Sequence, residues 1–179
     1  MIMMNLNRIM KRIFSGLILT ALAIVIFSCG DDNNLEQLRN NELALLDKYI
    51  LTNYPNEEPT PSGLYYIEEV KGEGDTIVPG DRIRIFYATW LIDSTLIDQT
   101  NGYLDGYRFE PLEFVVGAGS VIGGLEEAVT YMQAGSVGNL VANSALAYGQ
   151  NGNTSGNPPV PGFTTLLMQV EIYKIVEPK

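Results

Sequence analysis

From Arg82 to Ile92 apolar and polar side chains alternate, so that Ile83, Ile85 and Tyr87 share one face of an extended segment and Arg82, Arg84 and Phe86 share the other. A period of two with one polar face is the mark of a half-exposed antiparallel strand, because parallel strands covered by helices on both sides read as continuous apolar runs. The same reading makes strands of "LYYIEEV", "PLEFVV", "VGNLVAN" and "FTTLLMQVEIYKIV", the last with Leu166, Met168, Val170 and Ile172 on one face. Among them only "LEEAVTYM" is helical, with Leu125, Ala128, Val129 and Met132 at i, i+3, i+4 and i+7 and Gly135 ending it. With no internal repeat, the pattern predicts several antiparallel strands around one short helix.

"EFVVGAGSVIGGLEEAV", Glu113 to Val129, carries an apolar strand through Gly117, Gly119 and Gly123 into that helix. A dinucleotide-binding turn has a similar outline, but it needs a βαβ unit of about 30 residues and an acid roughly 20 residues beyond the glycines. The helix here is too short, and the region around Asn143 offers no acid. What remains is a turn that delivers Val121 and Ile122 to a helix start, where backbone N–H groups are left without intrahelical partners. Apolar walls with one or two fixed donors suit a neutral ligand bearing a carbonyl.

The N-terminus reads as a leader. Arg8, Lys11 and Arg12 precede an uncharged apolar run, Ile13 to Phe27, whose fifteen residues fall short of the ~30 Å hydrocarbon core. It ends in Ile26, Phe27, Ser28 and Cys29, which resembles a bacterial lipobox; the rule implies cleavage before Cys29 and lipidation of its sulfur. Residues 1–28 are therefore expected to be a lipoprotein signal peptide, with the mature chain held on a membrane from outside the cytoplasm, each buried methylene contributing ~0.8 kcal/mol. Asp31 and Asp32 are either a sorting signal or a solvated tether. Asn34 to Leu51 reads as an amphipathic helix with Leu35, Leu38, Leu45, Leu46, Tyr49 and Ile50 at helical spacing. It serves either as an arm that pairs two protomers into a homodimer or as a helix docked on its own domain or spacing it from the membrane. "YPNEEPTPSG" then reads as an extended linker, which places tether, helix and linker at 29–62 and a globular domain at 63–179.

The chain has no histidine and a single cysteine, Cys29. That excludes an intramolecular disulfide, His/Cys metal sites, Ser-His-Asp triads and Cys-His pairs. Loss of three bases and no acid with residues 1–28 takes the formal charge from −10 to −13, with eight Lys and Arg against 21 Asp and Glu. Nucleic acid is a poor partner for such a surface. The chemistry is left to carboxylates, tyrosines, backbone amides and apolar shape.

Five blocks in order, "IFYATWL", "LIDQT", "PLEFVVGAGSVIGGLEEAV", "ALAYGQNG" and "VPGFTTLLMQVEI", give the stretch from about Gly63 to Val176 a resemblance to the FKBP-type peptidyl-prolyl cis-trans isomerase domain. The resemblance implies an α+β fold, a twisted antiparallel β-sheet wrapped around one short α-helix, that needs no cofactor and no metal. It implies an isomerase acting on proline-containing polypeptide segments, here assisting the folding of exported proteins. The alternative is a catalytically weak chaperone or assembly lipoprotein using the same cleft or fold. By the same resemblance, Ile122 would offer its N–H to the substrate carbonyl and the Tyr148 hydroxyl would be a second donor. Asp98 would sit beside the twisting carbonyl, positioned by the Tyr87 hydroxyl, and Ile97, Leu112, Val121, Leu125, Val160 and Met168 would line the pocket. The family commonly has aromatic residues at the positions of Ile97, Leu112, Leu125 and Met168, so this cleft is less aromatic and more adaptable. "QTNGYLDGYRFE", Gln99 to Glu110, is longer than in the minimal family member; Tyr103, Tyr107 and Phe109 either form a flap beside the pocket or cover the sheet edge.

Overall fold

The computed structural model describes residues 31–176, so the expected leader and Cys29, the expected lipidation site, lie outside the described residues. The chain divides into two units at Leu38 and Arg39. Among the described residues the first holds only the beginning of helix α1, Asp31–Asn53, which is longer at both ends than the apolar spacing indicates.

The second unit is built on one antiparallel sheet. Its strands are β1, Tyr65–Val70; β2, Arg82–Leu91; β3, Leu96–Gln99; β4, Leu112–Val115; β5, Val137–Ala142; and β6, Leu166–Val176. They are ordered β1-β5-β6-β2-β3, with β4 paired to the first half of β2. Helix α2, Gly123–Val129, packs Leu125, Ala128 and Val129 on the inner face against Ile83, Ile85, Leu140, Val170 and Ile172. It stops at Val129 with Thr130 as its cap, so Met132 belongs to the following turn and Gly135 bonds to the Ile172 carbonyl rather than ending the helix. β3 is a strand that its four residues are too short to announce by alternation.

The outer face is covered twice. The Arg39–Asn53 part of α1 lays Leu46 and Ile50 on Val141, with Tyr65, Ile67 and Leu167 around them, while Leu45 and Leu51 stay exposed. Farther across the sheet, Tyr103 from the 99–110 segment closes over Phe86 and Ala88. Phe86 thus lies on the arginine face of β2 yet is fully buried. Tyr103 covers the sheet, whereas Tyr107 and Phe109 stack on one another in solvent.

The Pro- and Glu-rich stretch is tied down at its C-terminal end. The Thr60 and Ser62 hydroxyls donate to the two oxygens of Glu127 on α2, at 2.8 and 2.6 Å, and the Thr60 amide bonds to the Leu64 carbonyl.

Candidate functional site

The sheet's inner face opens beside α2 into a cavity of about 510 Å³. Strand periodicity brings Tyr87 and Thr89 of β2 into it, facing Val170 and Met168 across the β2–β6 ladder. β3 supplies Ile97 and Asp98, β4 supplies Leu112, and β6 supplies Leu166 and Met168. Leu125 and Met168 are buried and form the floor; Tyr148, 37 % exposed, stands at the rim.

The remaining wall is the glycine turn. Gly117 and Gly119 take left-handed φ of 82° and 69°, a conformation that side chains with a Cβ resist. Their amides donate to the carboxylate of Glu126, that of Gly119 at 2.9 Å. Glu126 thereby folds the turn onto the first turn of α2 and presents Val121 and Ile122 to the cavity. Ile122 is the N-cap residue, extended at φ −62° and ψ 147°, with its carbonyl accepting from the amides of Leu125 and Glu126. Its own N–H finds no acceptor among the described residues.

Gly124 sets how closely this helix approaches. A Cβ there would lie 2.9 Å from the Ala142 methyl and 3.3 Å from the Leu146 carbonyl oxygen, whereas one on Gly123 would meet nothing nearer than 3.8 Å. Gly124→Ala is expected to cost about 1–3 kcal/mol through overpacking. Gly123→Ala should raise stability by about 0.5 kcal/mol, as alanine in a helix loses less conformational entropy than glycine. Denaturant melts of the two variants should therefore move in opposite directions.

The polar side of the cavity rests on one bond. The Tyr87 hydroxyl donates to Asp98 Oδ2 at 2.6 Å, a length typical of a charge-assisted bond to a carboxylate. Burial, then this bond and the negative charge of Asp98, hold the Tyr87 proton well above the ordinary phenol range. The register behind it is fixed by Thr100, whose hydroxyl accepts from the Tyr87 amide at 3.1 Å and whose amide donates to the Tyr87 carbonyl at 3.0 Å.

Nine of the ten residues named from the sequence for the pocket line this one cavity: Tyr87, Ile97, Asp98, Leu112, Val121, Ile122, Leu125, Tyr148 and Met168. Val160 does not line it. It is buried in the connection before β6, where its amide and carbonyl pair with Asn153 at 2.9 and 2.8 Å, so a loop bridge takes it out of the cavity wall. Thr89 and Leu166 also line the cavity and were legible as the next same-face neighbours of Tyr87 and Met168. Glu126 had no such signal, because its role depends on the turn folding back onto it.

The profile of the family described as FKBP-type peptidyl-prolyl cis-trans isomerase matches residues 74–173. The FKBP-type 22 kDa peptidyl-prolyl cis-trans isomerase of Escherichia coli is 37 % identical over 131 residues, which cover 72 % of this chain and 59 % of that protein. The FK506-binding protein of Neisseria meningitidis serogroup B is 33 % identical over 115 residues, 64 % of this chain and 98 % of the relative. In structure, the isomerase of Pseudomonas syringae pv. tomato superposes with a TM-score of 0.65 at 23 % identity, covering 79 % of this chain and 96 % of its own, a likeness of fold. AtFKBP13 superposes with a TM-score of 0.58 at 27 % identity, covering 68 % of this chain and 99 % of its own. The family profile and the near-complete match to the Neisseria protein agree with the cavity built from Tyr87, Asp98 and Ile122: the chain belongs to the FKBP-type peptidyl-prolyl cis-trans isomerase family.

Proposed function

We propose that the chain is a peptidyl-prolyl cis-trans isomerase that binds an X–Pro segment in this cavity and lowers the barrier to rotation about its amide bond. The observation that carries the reading is the coexistence, in one cavity, of apolar walls, the Tyr87–Asp98 bond and an extended N-cap residue with an unspent N–H. Rotation must break amide resonance against a barrier of ~18–20 kcal/mol. The planar amide is dipolar and the twisted one has lost that resonance, so a dry apolar site disfavours the planar form relative to the twisted form. The Ile122 N–H and the Tyr148 hydroxyl hold the substrate carbonyls while the prolyl ring rests on Leu125 and Met168. Asp98, oriented by Tyr87, sits where resonance charge on the carbonyl oxygen is unwelcome. No proton is transferred and no bond is cleaved.

The enzyme acts outside the cytoplasm on exported polypeptides and is held on a membrane through acylated Cys29. Support for this part is the leader run, the lipobox ending and the absence of any other cysteine. Growth with an alkyne-tagged fatty acid should label the protein, and Cys29→Ala should abolish the label.

The test of the activity is the isomerisation rate of short X–Pro peptides in the presence of the purified protein, with Asp98→Ala and Tyr148→Phe alongside. Acceleration that both substitutions reduce supports the enzyme. A folded protein that binds such peptides without accelerating them would instead fit a holding role.

A further inference from the structure

Helix α1 brings a carboxylate to the sheet that docking does not require. Glu42 is only 5 % exposed. Its Oε1 accepts from the Ser144 amide at 2.5 Å and from the Thr165 hydroxyl at 3.1 Å, and its Oε2 accepts from the Ser144 hydroxyl at 2.6 Å. Leu46 and Ile50 already supply the apolar grip of this helix, and a buried ion held by hydrogen bonds is seldom more stabilising than an apolar side chain of similar volume. What the carboxylate adds is direction.

Its three donors stand at the two ends of one long connection. Ser144 opens the turn that carries Tyr148, and its carbonyl accepts from the amides on either side of that residue, Ala147 at 3.0 Å and Gly149 at 2.7 Å. The Gly149 carbonyl accepts in turn from Phe163. Thr165 ends the connection and is followed at once by Leu166, which lines the cavity. Released from Glu42, both ends would expose buried donors with no other partner, and the turn would shift to find some.

We infer that Glu42 is a positioning residue: through Ser144 and Thr165 it fixes the connection that holds Tyr148 at the cavity rim. The accessory helix is then a working part of the site. For its effect on rate the inference rests on the isomerase reading; its structural content does not.

The experiment uses the full-length protein and two readouts. Amide hydrogen exchange at Ala147 and Gly149 should quicken roughly tenfold in Glu42→Ala relative to Val170 in β6, and Glu42→Gln should restore most of the protection. Ser144→Ala, which removes the hydroxyl bond alone, should give a smaller change in the same direction and serves if Glu42→Ala fails to fold. In X–Pro isomerisation, Glu42→Ala should lower kcat/KM roughly tenfold. Leu46→Ala, which loosens the same helix without touching the carboxylate, should leave kcat/KM within about twofold. Unchanged exchange at Ala147 and Gly149 in folded Glu42→Ala or Ser144→Ala protein would overturn the inference, as would an equal loss of kcat/KM in Leu46→Ala. If the unsubstituted protein accelerates nothing, the isomerase reading falls and the exchange result alone decides the positioning role.

Discussion

Ile122→Pro is expected to lower kcat/KM for short X–Pro peptides roughly a hundredfold, the usual consequence of removing one fixed donor from a reacting carbonyl. The backbone at this position already has the conformation that proline requires. Proline holds φ near −65°, and Ile122 sits at −62° in an extended conformation at the helix N-cap. Its N–H finds no acceptor among the described residues, so proline removes the donor without breaking a backbone hydrogen bond there, while its ring replaces the side chain that packs against the core. Ile122→Val keeps the N–H and trims one methylene, and should retain most of the activity. Equal rates for the proline and valine variants would show that the amide contributes nothing and that the apolar walls alone act on the substrate.

Phe86→Ala should produce the largest loss of stability, about 3–5 kcal/mol, against a total of about 5–15 kcal/mol for an ordinary domain. The ring is fully buried, stacked on Tyr103 at a centroid distance of 6.3 Å and tilted against Tyr173 at 5.3 Å. The Arg108 guanidinium lies over Tyr103 at 4.5 Å and over Phe86 at 5.5 Å, while pairing with Glu171 at 2.8 Å. Removing the Phe86 ring empties the space on which the 99–110 segment rests. Tyr107→Ala, on an exposed ring of the same segment, should change stability by no more than about 0.5 kcal/mol. Urea denaturation of the two variants measures the contrast; a small loss for Phe86→Ala would mean that the segment contributes no packing to the outer face.

Phe86 also marks where reading the chain in one dimension stops. Alternation along Arg82–Ile92 correctly separated the two faces of β2 and put Tyr87 with the isoleucines. It could not say that the arginine face is itself half covered, because the cover arrives from residues 99–110 through an aromatic stack and a cation set by tertiary contact. The pocket was legible for a different reason: its residues were carried over block by block from the resemblance to the FKBP-type domain, while local patterns alone placed Tyr87 and Met168 on inner strand faces and Val121 and Ile122 at the helix start. Val160, which the resemblance put in the lining, pairs instead with Asn153 within an irregular connection, where the matched block fixes the residue type but not its direction. Glu42 had the same handicap, since on a helical wheel a lone acid among leucines carries no mark of a distant serine and threonine.

The order of strands has a consequence for how the chain can become this structure. β6, the last of the described strands, lies at the centre of the sheet, pairing with β5 on one side and along the whole of β2 on the other, Arg82 with Val176 and Leu91 with Leu166. Before it arrives, β1 and β5 form one ribbon and β2, β3 and β4 another, with no ladder joining them. A two-stranded ribbon such as β1–β5 is marginal in water, and pairings so distant in sequence are slow to form because the entropy of loop closure comes first. Assembly of the sheet therefore waits on β6: its two ribbons share no ladder until this strand enters and joins β5 to β2.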